Sequence, residues 1–399
     1  MDYKNLSNIQ YVFNQAVEDK KVAGLNCVIY KDGKEIGYYQ AGYKNIESKE
    51  PFSRDTICRL FSMTKPVTSV AAWILIEKGM LDLAAEVGNY IPEFWNLQIS
   101  YDSGRNGKSQ KANRNVTIQD LLNMTSGYTY GAWWEGALYG EHLTSDLLNE
   151  LNKDCAGDCK ITTLDVAKRL AKIPVSFEPG TNYSYGLSAD ILAAVIEVVS
   201  KMKYSDFLKK YIFQPLGMND TDFYVRPENY SRLSKVYSCD NQKDITEFTG
   251  CHLGIQNKMD HAPSFESGGA GLCSSLDDYL KFALMLANGG EYNGNRILQK
   301  KTVEYLASAK LRSNLQEKFD QNMEHFSGYT YCNLMRVCIE PGQCKYLTEK
   351  GEFGWDGWLG PYLSIDLKNK LVIVMLMQKT GAGTWEVTRK VKNIINSSL

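Results

Sequence analysis

Leu60-Phe61-Ser62-Met63-Thr64-Lys65-Pro66 is the stretch on which the reading of this chain turns. Residues three apart share a face of a helix, so Ser62 and Lys65 can point into one cleft. Proline disrupts a helix interior, because it lacks an amide donor and clashes with the preceding turn. In the first turn it is harmless, since those amides have no intrahelical acceptor. Pro66 therefore predicts a helix that starts at or just before Ser62 and runs on through 67–78, with Gly79 as a stop signal. A serine at that end gains from the positive pole of the helix, which favours a developing alkoxide or oxyanion. By itself Ser-x-x-Lys carries little weight. The pattern arises by chance in chains of this length, and a capping serine with a solvated lysine is the plainer reading.

Outward from this stretch, the two ends of the chain have similar patterns. Residues 6–20 have helical periodicity, 25–30 read as a strand, Asp32-Gly33 as a tight turn, and 35–41 as the hairpin partner. Near the other end, 362–365 and 371–377 flank the polar segment 366–370 as a second hairpin, and a helix follows over 385–395. Between them, 118–124, 163–171, 187–201, 204–212, 276–287 and 302–307 have helical spacing. The expected fold is α+β and two-lobed. Residues 1–88 and 310–399 would form a lobe with a central antiparallel sheet flanked by helices. Residues 89–309 would form an inserted, mostly helical lobe, with the active site at the interface.

Composition excludes several classes of function. The 399 residues are 44% hydrophobic and 23% charged, as in an ordinary folded protein, and the formal net charge is −1. No global field steers such a chain to nucleic acid or to an anionic membrane. The longest apolar run, 371–377, is far too short to cross a bilayer as a helix. The amino-terminal segment has no apolar core of the signal-peptide kind, and ten cysteines then read as reduced thiols in a cytoplasmic protein. Cys155 and Cys159 lie close together, as do Cys332, Cys338 and Cys344, but there is no Cys-x-x-Cys pair and no paired histidine at ligand spacing. No metal and no cofactor is expected.

Two further blocks give Ser-x-x-Lys its meaning. Glu178-Pro179-Gly180-Thr181-Asn182-Tyr183-Ser184-Tyr185 is a turn that ends in tyrosine ahead of a helix, and Gly354-Trp355-Asp356-Gly357-Trp358 precedes a strand. In that order the three blocks resemble the class C β-lactamase and penicillin-binding-protein superfamily, especially its esterase-like branch. The segments 121–127, 214–218 and 269–275 extend the resemblance over about residues 10 to 380. It implies a β-lactamase/transpeptidase-like fold in which Ser62 attacks a carbonyl and becomes acylated. Lys65 and the motif tyrosine, taken as Tyr183, would relay its proton. Either can serve as base, because packing an ammonium against a phenol lowers the phenol's pKa while desolvation lowers the amine's. The backbone N–H groups of Ser62 and Trp358 would form the oxyanion hole.

The chain departs from the lactamase pattern in two places. Where lactamases carry Lys-Thr-Gly, with a cation for the drug's carboxylate, this chain has Trp355-Asp356-Gly357. Tyr-x-Asn has become Tyr183-Ser184-Tyr185, without the amide that binds an acylamino group. Both changes disfavour β-lactams and favour neutral, apolar acyl groups. Tyr185, Trp355, Asp356 and Gly357 are therefore expected around the substrate. Tyr128, Trp133 and Trp134, in the aromatic stretch 128–134 that also holds Tyr130, would form an acyl-binding wall, against the alternative that they are plain core.

A Ser-His-Asp enzyme is not indicated. No Gly-x-Ser-x-Gly elbow occurs, and none of His142, His252, His261 and His325 belongs to a recognisable motif. Gly268-Gly269-Ala270-Gly271 lacks the Gly-Lys-Ser/Thr of a phosphate loop and reads as a tight turn. The expected function is a serine hydrolase acting through acyl-Ser62, a carboxylesterase on small or apolar acyl esters. β-Lactamase, D-amino-acid peptidase or amidase, and acyltransferase chemistry are the alternatives on the same scaffold. A non-catalytic binding domain ranks last, because Ser62, Lys65 and Tyr183 are all present. The expected partner is a small-molecule ester or amide, with no nucleic acid and no membrane. Oligomeric state is not legible in the sequence.

Overall fold

The structure, a computed structural model, describes residues 3–132, 134–157, 160–239 and 244–399. At its centre is an eight-stranded antiparallel sheet. Its strands are β1 (Gly24–Lys31), β2 (Lys34–Asn45), β3 (Glu50–Pro51), β4 (Tyr329–Cys332), β5 (Met335–Cys338), β6 (Phe353–Gly354), β7 (Tyr362–Asp366) and β8 (Leu371–Met377). They lie in the order β4-β5-β6-β7-β8-β1-β2-β3, so the two ends of the chain meet at the β8–β1 seam. There Leu25 faces Met377 and Lys31 faces Leu371.

The continuous apolar run of β8 follows from that central place. A strand covered on both faces has no side left for polar residues. Leu371, Ile373, Met375 and Met377 join Leu25, Cys27 and Ile29 beneath two terminal helices, α1 (Asn8–Glu18) and α5 (Glu386–Ser397). The alternate residues Val372, Val374 and Leu376 enter the main core on the opposite face with Val28. The β1–β2 hairpin closes on Asp32 and Gly33, with φ of 51° and 76°, the left-handed pair that a two-residue hairpin turn requires.

Three helices set the rest of the frame. α2 (Lys65–Glu77) is buried from Lys65 to Leu75 and packs on α3 (Ser188–Ser200), an almost wholly apolar helix. α4 (Leu276–Ala287) packs on β7 and β8, so the segment 89–309 supplies a helix to the sheet as well as a helical layer. Helical periodicity tells which face is buried and is silent about what buries it. No helix among the described residues is long and apolar enough to cross a membrane.

Candidate active site

Ser62 lies in a 3-10 turn, Phe61–Thr64, and the α-helix proper begins at Lys65 with Pro66 in its first turn. Phe61 carries a φ of 46°, a left-handed conformation that costs of order 1–3 kcal/mol for such a residue and persists only where surroundings enforce it. The Leu60 N–H donates to Leu272 O at 2.8 Å, and the Leu272 N–H donates to Thr64 Oγ1 at 3.1 Å. The Phe61 ring is held edge-on by Trp358 at 5.1 Å. The nucleophile candidate thus sits on a clamped, strained turn.

Lys65 is fully buried, and its Nζ donates to Ser62 Oγ at 3.2 Å, Tyr130 Oη at 3.0 Å and Gly269 O at 2.8 Å. Burial pushes its pKa down to about 7, against the opposing fields of Asp190 and Asp356. At neutral pH about half of such an amine is unprotonated and able to accept a proton. The Gly269 carbonyl is itself fixed. Asp190, buried on α3, accepts from Ser267 Oγ at 2.5 Å and from the Gly269 N–H at 3.1 Å. A Cβ on Gly269 would lie 2.8 Å from Asp190 Oδ2, and one on Gly268 2.4 Å from Ala189 O. The glycine run is therefore a close approach of backbone to α3, which turns carbonyls toward α2. Gly268 O accepts from Thr68 Oγ1 at 2.5 Å, one turn along from Lys65.

The phenols differ from the expectation. Tyr183 is not brought to Ser62 and Lys65. Its ring packs against Phe319 at 5.0 Å and Tyr331 at 5.5 Å, and its buried hydroxyl has no hydrogen-bond partner among the described residues. Two residues further on, a shift of roughly 7 Å in extended chain, Tyr185 reaches the cleft. Lys65 Nζ lies 4.6 Å from its ring centroid, and its hydroxyl accepts from Trp355 Nε1 at 2.8 Å. Tyr130 supplies the second phenol, edge-on to Tyr185 at 5.7 Å. Burial raises the pKa of both hydroxyls, while hydrogen bonding to Ser62 works the other way. Trp355 thus stands where a cation would stand in a lactamase, and its one donor goes to Tyr185.

A cavity of about 380 Å³ opens over Ser62, walled by Tyr130, Tyr185, Trp355, Asp356, Gly357 and Trp358 on one side and by His252, Leu253, Met323, His325 and Phe326 on the other. Among the described residues, neither the Ser62 nor the Trp358 backbone N–H donates to another group, so both are available to an oxyanion. Tyr128 does not line this cavity. It is buried against Phe94 at 5.9 Å, as plain core. Trp134 is 65% exposed and away from the cleft lining, and Trp133 lies outside the described residues, as does Cys159. A larger cavity of about 600 Å³, by Asp32 and α4, is remote in sequence and lining from these groups. No local motif marks Asp190, and His252 and His325, which belong to no motif in the sequence, line the cavity. Tyr130 stood in the aromatic stretch, but nothing local separates a phenol facing Lys65 from one facing the core.

A half-exposed hydroxyl beside a buried, depressed amine, with two phenols and two free amides around it, is an arrangement suited to serine acyl transfer. The chain belongs to the Beta-lactamase family, whose model matches residues 9–393. It is similar to Protein Rv1367c of Mycobacterium tuberculosis, 26% identical over 94% of this chain and 90% of that protein. It is also 30% identical to the esterase EstB of Burkholderia gladioli, over 69% of this chain and 68% of that one. The solved structure of EstCE1, a hydrolase with promiscuous acyltransferase activity, shares the fold with a TM-score of 0.79 at 22% identity over 99% of each chain. The protein is a serine hydrolase of the β-lactamase fold.

Proposed function

We propose that the protein is a carboxylesterase in which Ser62 is acylated and then hydrolysed. Neutral Lys65 takes the Ser62 proton as Oγ attacks the ester carbonyl, and the oxyanion forms against the N–H groups of Ser62 and Trp358. Collapse expels the alkoxide, which leaves as the alcohol with a proton passed from Lys65 through Tyr185. Water then attacks the acyl carbonyl and gives a proton to the same pair, the acyl–Oγ bond breaks to release the acid, and the proton returns to Ser62 Oγ. Lys65 serves as the base in place of a phenol, because burial makes its neutral form accessible near pH 7 and makes phenolate less accessible. Tyr130, which accepts from Lys65, holds the amine in position.

The observation that carries this reading is the three-point hold on a fully buried Lys65, one point of which is Ser62 Oγ. A solvated lysine next to a capping serine would not be sealed in this way. The aromatic cleft and the replacement of a cation by Trp355 disfavour substrates that carry a carboxylate, as β-lactams do. A small alcohol in place of water would make the same centre an acyltransferase, and EstB and EstCE1 bracket those two outcomes by name.

The test is hydrolysis of p-nitrophenyl butyrate, with intact mass after a fluorophosphonate probe. Ser62→Ala should lower kcat by about 10³-fold or more and abolish the adduct. Equal turnover by wild type and Ser62→Ala, with no adduct on either, would remove the esterase proposal.

A further inference from the structure

Among the described residues Asp356 is the one acidic side chain lining the Ser62 cavity, and none of the acyl-transfer steps above uses it. It is only 8% exposed, yet it forms no ion pair among the described residues. Its direct donors there come from Thr384, whose hydroxyl binds Oδ2. A carboxylate offers about four acceptor positions, so with the Thr384 hydroxyl and backbone N–H as donors about half of its capacity is unfilled. The residue lines the cavity, so its unfilled capacity borders the cleft.

The space beside it is kept clear. A Cβ on Gly383 would lie 3.5 Å from Oδ2 and 3.9 Å from Oδ1, so the glycine leaves that flank of the carboxylate open. Trp355, Trp358 and Phe326 line the same cavity. Aromatic faces around a carboxylate suit a cation or a polarised hydroxyl, and they repel an anion. A buried carboxylate whose acceptor positions are only partly filled is costly, and a ligand that supplies a further donor recovers part of that cost.

We propose that Asp356 is a specificity determinant that accepts a hydrogen bond from an ammonium or hydroxyl group on the substrate. The preferred esters then carry such a donor close to the scissile carbonyl, and esters carrying a carboxylate are discriminated against. This inference rests on the hydrolase reading of the same cleft.

Four methyl esters of similar length test it by pH-stat: β-alanine methyl ester, methyl 3-hydroxybutanoate, methyl butanoate and monomethyl succinate. Wild type should turn over at least one donor ester about 10-fold better in kcat/KM than methyl butanoate, and the succinate about 10-fold worse, mostly through KM. Asp356→Asn keeps an oxygen acceptor and loses the charge. It should abolish any preference for the ammonium ester, retain any for the hydroxyl ester, and raise succinate turnover. A preference for the hydroxyl ester alone identifies a neutral donor, and one for the ammonium ester alone identifies a cation. Either result supports the proposal.

The same order of four esters in wild type and Asp356→Asn overturns it. So does an equal loss on all four, which would mark Asp356 as a structural anchor for Thr384. Fluorophosphonate labelling separates the two readings. A labelled wild type with no preference, or with no turnover of any of the four, sinks the specificity claim and leaves the acyl-serine centre standing. An unlabelled wild type sinks both.

Discussion

Removing one hydroxyl from Tyr185 and, separately, one from Tyr183 should have opposite consequences, although the two residues are separated only by Ser184. The Tyr185 hydroxyl accepts from Trp355 Nε1 at 2.8 Å, and its ring lies under Lys65 Nζ at 4.6 Å. Tyr185→Phe deletes the proton carrier to the leaving alkoxide and leaves a buried indole donor without an acceptor. The kinetic loss expected for a positioned acid is about 10²–10⁴-fold in kcat. The orphaned indole N–H should cost about 1–3 kcal/mol of stability besides. Tyr183 presents the reverse case. Its hydroxyl is fully buried and has no partner, so folding already bears its desolvation. Tyr183→Phe keeps the ring contacts to Phe319 and Tyr331 and should leave kcat within about twofold, while raising stability by about 1 kcal/mol. Initial rates on p-nitrophenyl butyrate and urea midpoints read on the same preparations measure both quantities. If Tyr183→Phe loses as much activity as Tyr185→Phe while both stay folded, the assignment of the two phenols is wrong.

Two further outcomes follow from buried charge. Because Lys65 must be neutral to act as base and its pKa is lowered to about 7, kcat/KM should rise through pH 7 and level off above it. Lys65→Arg should be inactive at every pH, and a flat wild-type profile from pH 6 to 8 would count against Lys65 as the base. The same shift acts on stability. The unfolded chain binds the Lys65 proton up to its ordinary pKa, so this group should add stability as pH rises from about 7 toward 10. On the sheet, Glu352 is fully buried and accepts from Arg336 Nη2 at 2.9 Å and Tyr329 Oη at 2.9 Å, with Lys392 Nζ at 3.6 Å. Burial acts to raise its pKa, but Lys392 and Arg336 overcome this and hold it at about 2. Glu352→Gln should therefore cost about 3–5 kcal/mol, since it strands two buried cations. In wild type this stabilisation should be present above the ordinary carboxylate pKa and should fade as pH falls from about 4.5 toward 2. Acid unfolding of the two proteins, followed by near-ultraviolet circular dichroism, compares them.

What the sequence determined about this protein was local. Asp32-Gly33 forces its hairpin through backbone conformations that few other residue pairs accept, and Pro66 can stand only in the first turn of its helix. Ser62 and Lys65 meet because one turn of chain brings them together. The continuous apolar run of β8 announced a strand buried on both faces, though not which helices would cover it. Strands β4 and β5 carry no clear turn signal, because Leu334, with φ of 60°, follows Asn333 where a hairpin turn usually has glycine. Tertiary structure decided the rest of the site. Tyr130, Tyr185 and Gly269 reach Lys65 from positions 65 or more residues away, and Asp190 acts on it through the Gly269 amide. Between Tyr183 and Tyr185, neighbouring phenols in one motif, the packing of Phe319 on the first and of Trp355 on the second makes the distinction, since Tyr331 touches both rings. A hydroxyl's reactivity depends on what surrounds it in space, and covalent neighbours fix that surrounding only over about one helical turn.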